Sequence, residues 1–486
     1  MNTHLGYNRT PYGRHDLVEQ RLTALGVRYV RDGLAPGRPD IYRALRRLEA
    51  GGIRANLIAG DPLERWGTGP LEEQLAVVKQ ELRGAVVSLE GPNEYDNQGG
   101  EGWLPVLSDY QRRLYHGVKS DPALAHLSVL GPSLVHRESQ QQLGDISAWL
   151  DYGNLHPYPG GQAPDRDSHM GDQLARGALN AGSKAIQATE TGYHNALATE
   201  SGHRPTSEQV AGIYMPRLYL DYYRRGIART FAYELIDVWP DSSGAEIFDH
   251  FGLLRNDMSE KPAYAALERL IGLLEDRGPS FAPESLDYRL EDAPPTLRRL
   301  LFQKRDGSFY LALWNAVSVW DADQKLDLWP GEDTLRLELA EPAGVVEAYR
   351  PSESDRPLLR RANAASVSLP SSPSVTIVRI AETRADAAPE TRADAAPRRS
   401  HVRPPRRRAP LYAPLRGKER RVARALLRLR AAKVSTRSRP GRRIRRLEHW
   451  LGRRARLIRG LARRTGWHRS RRRLRHRAIL RVLRAR

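Results

Sequence analysis

The chain has no cysteine in 486 residues. That absence removes disulfide scaffolds, thiolate zinc sites and cysteine nucleophiles together, and it leaves a secreted or a cytoplasmic location open. No run of 18 or more apolar residues occurs, so no segment reads as a membrane-spanning helix. The opening MNTHLGYN lacks the charged and apolar regions of a secretory leader. It starts directly in strand-like sequence, from which we expect a natural start further upstream or a leader already removed. No G-x-G-x-x-G follows the first strand, which counts against an open doubly wound sheet, and H-E-x-x-H and EF-hand spacings are missing, so no metal is implied. A specific nucleic-acid motif is missing too, and the sequence does not give the oligomeric state.

Acidic residues are scarce in one place only. Residues 398–486 hold 35 Lys+Arg against Glu419 and Glu448, a net of +33. The other 397 residues carry 43 basic and 55 acidic side chains, a net of −12, so the overall +21 hides an acidic chain with a polycationic tail. This length predicts two or three structural units.

The first 275 residues alternate short β-like runs with helical periodicity, which predicts βα units around a parallel sheet. Eight strand candidates stand at 3–8, 27–33, 53–60, 86–94, 127–133, 153–159, 184–192 and 229–239. Helical patterns fall between them, as at 70–84 and 207–226, and 261–276 closes the set with an apolar stripe of Tyr264, Leu267, Leu270, Ile271 and Leu274. Eight such units are the size of a (β/α)₈ barrel, favoured over an open doubly wound sheet. Beyond it, 297–316 reads as a hairpin turning at Arg305-Asp306-Gly307, followed by strands at 325–330, 334–339, 344–350 and 373–381. The expected fold is therefore α/β: a barrel over 1–278 and a small antiparallel β-sandwich over 282–381. The repeated ETRADAAP at 382–397 would be a linker, and 398–486 a basic tail, largely disordered or helical, with Ile444, Leu447, Leu451, Leu457, Ile458 and Leu461 along one helical face.

Functional side chains of such a barrel gather where its strands end. The fourth strand candidate ends in EGPNEYD, offering Asn93 and Glu94, and the seventh ends in ATETG, offering Glu190. The sixth offers His156 and Tyr158, the second Arg31 and Asp32, the eighth Asp237 and Trp239. Two carboxylates facing one another across a polar, aromatic pocket suit glycosidic bond cleavage, in which one protonates the leaving oxygen and the other stabilises or attacks the anomeric carbon. Glu94 and Glu190 are 96 residues apart, three βα units of about thirty.

With NE at 93–94, TETG at 189–192, HPYP at 156–159, the KPAY helix and a following β-domain, residues 1–381 resemble glycoside hydrolase clan A, in the neighbourhood of families 39 and 5. The resemblance implies a retaining enzyme without a cofactor, acting on a β-linked glycoside or polysaccharide. Glu94 would be its acid/base and Glu190 its nucleophile, Asn93 would bind the sugar 2-hydroxyl, and Tyr158 and His156 would sit in the pocket. Arg31 would keep Glu190 ionised or pair instead with Asp32. A less polar setting, with repulsion from Glu190, would keep Glu94 protonated. Trp239 would be a flat platform or core packing, and His156 a ligand residue or a satisfied core histidine. Glu90 reads as a structural ion-pair partner, Glu234 and Asp237 as barrel-interior polar residues. Two other functions stay open: a carbohydrate-binding barrel without chemistry, and a protein anchored through its tail. For the tail an anionic polymer, a membrane surface and no partner at all compete.

Overall fold

The computed structural model describes residues 1–64 and 67–382. The expected linker beyond Glu382 and the basic tail lie outside the described residues. Among the described residues, no helix is long and apolar enough to cross a membrane.

Seven parallel strands form most of a barrel: β1 (Tyr29–Gly33), β2 (Arg54–Ile58), β3 (Val86–Glu90), β4 (Ser128–Leu130), β5 (Gly153–Leu155), β6 (Ile186–Thr191) and β7 (Arg229–Ala232). Around them run α1 (His15–Leu25), α2 (Pro39–Ala50), α3 (Leu71–Glu81), α4 (Tyr95–Gln98), α5 (Trp103–Lys119), α6 (Arg137–Leu143), α7 (Asp167–Ala181), α8 (Glu208–Arg224) and α9 (Pro262–Leu274). Start signals are legible in several of them. Pro39 and Pro262 open α2 and α9, and the Ser207 side chain accepts from Val210 N at 3.1 Å to cap α8. On α9 Tyr264, Leu267 and Leu270 are buried.

Single bridges close the circle. Leu130 pairs in parallel with Tyr152, joining β4 to β5. Asn2 pairs in parallel with Arg31, while its N–H donates to Ala232 O at 2.8 Å and its carbonyl accepts from Leu235 N at 3.2 Å. The eighth strand is therefore one bridging residue wide, which corrects the expected strand at 3–8. Beyond Thr3 the chain turns, with Tyr7 N donating to His4 O at 2.8 Å, because Gly6, Asn8 and Pro11 are turn formers. The last barrel strand is also shorter than expected: it ends at Ala232, beyond which only single bonds, Tyr233 N to Thr191 O at 2.8 Å and Leu235 N to Asn2 O at 3.2 Å, tie the chain to its neighbours.

The β-domain contains β8 (Tyr288–Glu291), β9 (Leu297–Gln303), β10 (Phe309–Asn315), β11 (Trp320–Asp321), β12 (Leu326–Asp327), β13 (Asp333–Tyr349), β14 (Leu359–Ser371) and β15 (Thr376–Ala381). The hairpin at 297–316 is β9–β10, with Gly307 at φ +85° in its turn. The strands expected at 334–339 and 344–350 are one strand, bulged around Pro342 between Glu338 and Ala343. Its first half pairs with β8 and its second with β15. Leu337 and Val346, from the two halves, share one core with Leu311, Leu369 and Val378. The sheet thus folds over its own apolar face, giving the expected sandwich-like packing.

Barrel and β-domain belong to one compact unit. Between them lies a buried ionic joint. Arg217 of α8 grips Asp165 (Nε–Oδ2 2.9 Å, Nη2–Oδ1 2.6 Å) and donates to Val317 O at 2.9 Å. Trp314 of β10 donates from Nε1 to Asp165 Oδ2 at 2.8 Å.

Candidate active site

Most (β/α)₈ barrels fill the interior with branched apolar side chains. Here the upper interior is polar. The register sets Arg31 beside Asn56, and Asn56 beside Ser88. Glu90 at the end of β3 is fully buried and accepts from Arg31 (2.7 and 2.9 Å), Asn56 (2.6 Å) and Asn154 (3.0 Å), with Thr189 Oγ1 3.2 Å away. Four strands thus converge on one carboxylate, and every oxygen of Glu90 is occupied by donors.

From this floor Arg31 reaches upward. Its Nη1 donates to Asn2 Oδ1 at 2.9 Å and to Glu190 Oε1 at 2.5 Å, and its Nη2 to Asn93 Oδ1 at 2.7 Å. With that oxygen engaged, the Asn93 amide hydrogens are its donors for a ligand. Tyr158 donates its hydroxyl to Glu190 Oε2 at 2.8 Å. His156 Nδ1 lies 2.7 Å from Glu94 Oε1 and 3.6 Å from Glu190 Oε2. Six residues singled out in the sequence, Arg31, Asn93, Glu94, His156, Tyr158 and Glu190, therefore stand together. One carboxylate oxygen of Glu94, one of Glu190 and a His156 nitrogen all lie within 4.8 Å of one another. No other such grouping occurs among the described residues, and the Arg31 guanidinium already bonded to Glu190 opposes a dication there.

Two glycines permit this closeness. A Cβ on Gly91, next to Glu90, would stand 2.9 Å from Pro132 N, and one on Gly192, two residues past Glu190, 2.7 Å from Tyr233 O. Glu94 itself sits in the left-handed region (φ 44°, ψ 42°) between Asn93 and α4, with its N–H donating to Ser133 Oγ at 3.1 Å. Such a conformation in a residue with a Cβ stores strain of order 1 kcal/mol and turns the side chain back over the barrel mouth.

The two glutamates sit in different fields. Burial opposes ionisation of Glu190, but the charges of His156 and Arg31 and the hydrogen bonds from Tyr158 and Arg31 outweigh it, holding the carboxyl down at about 2. Tyr158 is pushed well above the usual phenol range by burial and by the Glu190 charge. His156 is raised: burial works against its cation, and Glu190 with the Glu94 hydrogen bond overcomes that. Its second nitrogen, Nε2, lies 3.1 Å from Thr189 Oγ1. Thr189 has a single hydroxyl proton, aimed at Asn154 Oδ1 (2.7 Å) or Glu90, which leaves its oxygen able to accept from His156 Nε2 while Nδ1 faces Glu94.

Residues that sequence reasoning passed over also line the cleft. A pocket of about 640 Å³ beside Glu190 is bounded by His4, Tyr7, Arg38 and Tyr233. His4 stacks on Tyr7 (4.7 Å between centroids) and lies 3.1 Å from the buried Glu234. The one available signal was position: His4 and Tyr7 follow the bridging Asn2, Arg38 follows β1 and Tyr233 follows β7, where barrel loops carry function. Trp239 is not among the pocket residues. The early end of β7 carries it onto the following loop, where it is 49% exposed, and Tyr233 takes the place expected of it at the strand end. Asp237 is committed elsewhere, to Lys261 Nζ at 2.8 Å.

No family model matches the chain, and no curated protein matches it by sequence. Solved structures do. A family 39 glycoside hydrolase from the gut symbiont Bacteroides cellulosilyticus WH2 superposes with a TM-score of 0.53 at 14% identity, over 78% of this chain and 80% of that one. The GH39 enzyme from Xanthomonas axonopodis pv. citri gives 0.52 at 14% identity, over 79% and 93%. The likeness is one of fold. It places the barrel and its β-domain beside the family neighbourhood named from the sequence motifs.

Proposed function

We propose that the protein is a retaining glycoside hydrolase acting on a β-linked glycoside or polysaccharide. The observation that carries this reading is the approach of Glu94 and Glu190, with one carboxylate oxygen of each within 4.8 Å of the other. Retaining enzymes hold the pair about 5–5.5 Å apart, whereas inverting ones leave room for water at about 6.5–9.5 Å.

Glu190, kept anionic by Arg31, Tyr158 and His156, attacks the anomeric carbon. A proton shared between Glu94 and His156 passes through Glu94 to the leaving oxygen. That position suits an acid that must later act as base: once the proton has gone, His156 neutral at Nδ1 leaves Glu94 ionised, ready to deprotonate the water that releases the sugar. Asn93 and Arg31 together hold the sugar against Glu190, Asn93 by its amide hydrogens and Arg31 by fixing both groups. Binding without chemistry would not call for two carboxylates in such unlike surroundings.

The test uses a panel of nitrophenyl β-glycosides. Glu94→Ala should slow natural glycosides far more than nitrophenyl ones, accumulate the glycosyl-enzyme, and be rescued by azide to a β-glycosyl azide. With Glu190→Ala, azide fills the vacancy and gives the α-azide. Exchanged products would reverse the two roles, and full activity in both variants would sink the assignment.

A further inference from the structure

The loop from Tyr233 to Lys261, after β7, combines two properties that seldom go together. It is firmly built, and it exposes large aromatic side chains. Asp241 accepts from Ser243 N (2.7 Å), Ala245 N (3.0 Å), Glu246 N (3.1 Å) and Ser243 Oγ (2.6 Å), and pairs with His250 Nε2 at 3.0 Å. At the loop's base Lys261 and Gly252 N hold Asp237, each at 2.8 Å. Trp239 N donates to Asp249 Oδ1 at 3.1 Å, which ties the Trp239 backbone to the residue that follows Phe248. Yet Trp239 is 49% and Phe248 66% exposed. Leu197, 44% exposed, is in the same region, since Ala198 N donates to Gly244 O at 2.8 Å. Exposed aromatic surface is unfavourable in water, and two large rings held out on one firmly bonded loop mark a binding surface.

This patch connects to the cleft. Phe248 touches Phe251 (6.5 Å between centroids), and Phe251 touches Tyr158 (5.6 Å), whose hydroxyl holds Glu190. We propose that Trp239 and Phe248 form a platform outside the catalytic cleft for a polysaccharide chain that runs on from it, so that the substrate is a polymer rather than a small glycoside. Flat rings receive the C–H faces of pyranose units, and the hydrogen bonds around Asp241 hold the loop that carries them. A protein partner fits less well, because stable interfaces bury about 1,600 Å² around an apolar core, and this patch alternates rings with polar loop. The proposal rests on the glycosidase reading for the cleft, but the surface can be tested separately.

The experiment compares the wild type with the double variant Trp239→Ala/Phe248→Ala, both side chains being exposed, after checking that Tm is unchanged. Affinity electrophoresis through gels containing β-glucan, xylan or galactan reads binding, nitrophenyl monoglycosides read the cleft, and light scattering reads the oligomeric state. The expected result is a wild type retarded by at least one polymer, with retardation weakened about fivefold or more in the variant and monoglycoside kcat/KM within twofold of wild type. Equal retardation of the two proteins, no retardation by any polymer, or a wild-type dimer that the variant dissociates would overturn the platform. If retardation depends on the aromatics while no glycoside is ever cleaved, the surface stands and the glycosidase reading falls.

Discussion

Arg31 and Arg217 make nearly the same bond in two places. Each is buried, 2% and 0% exposed, and each grips a carboxylate through Nε and Nη2, Glu90 in one case and Asp165 in the other. What differs is where the remaining donors go. Around Arg217 they are consumed internally, by Val317 O, while Trp314 occupies Asp165. Around Arg31 they continue outward to Glu190 and Asn93, both lining a pocket. The forked pair carries no function by itself. A buried ion pair becomes part of a site when it hands charge on to a group that solvent or substrate can reach.

The largest effect expected from breaking this comparison is kinetic. Glu190→Gln should cut turnover on any accepted glycoside by a thousandfold or more, equivalent to about 4 kcal/mol in the barrier. A loss of less than about tenfold would put Glu190 on the same footing as Glu90. Second comes stability: Arg217→Met strands Asp165 without a countercharge, and denaturant titration should show a loss of about 3–5 kcal/mol, with kcat of the folded enzyme unchanged. Arg217→Met/Asp165→Leu should recover much of that loss. If kcat falls as well, the joint is coupled to the chemistry and the contrast fails.

The third and smallest effect is on pH dependence. Glu190, depressed to about 2 in the fold, contributes stability that is complete above the ordinary carboxylate range near 4.5 and lost as pH falls toward 2. The Tm difference between wild type and Glu190→Gln should therefore shrink over that window. His156, raised, has the opposite sign: its contribution is complete below about 6.5 and lost as pH rises through its higher folded value. The gap between wild type and His156→Asn should narrow on the alkaline side. A gap that is flat across both windows would show that neither group is perturbed by its neighbours.

How much of this the sequence disclosed follows from what each feature depends on. Barrel strands betray themselves as apolar runs, and Glu94 and Glu190 as acids at their ends, because those signals are local. Strand β14 was missed because LRRANAASVSLPS has few of the residues that favour strands, and it forms by pairing with β13 along nearly its whole length. The extent of β7 was overestimated because RTFAYELIDVW stays largely apolar past Ala232, where the regular ladder gives way to single bonds, and with it Trp239 was assigned to the cleft. Glu90 read correctly as an ion-pair partner, but its position at the centre of the barrel depends on Asn56, Asn154 and Thr189 pointing the same way. That is set by strand register, not by any motif. Polar residues at inward positions of otherwise apolar strands were the visible clue.

Asn2 closes the ring of strands with one residue, and the same side chain accepts from Arg31 and donates to Thr189 O (2.9 Å) and Ala232 O (3.2 Å). The latch of the barrel and the aim of its central cation are thus one object. When that latch opens, Arg31 loses one of its bearing points, and the setting of Glu190 would be disturbed while the helices still stand. Failure of such a molecule under heat would be reported first by its chemistry and only later by its shape.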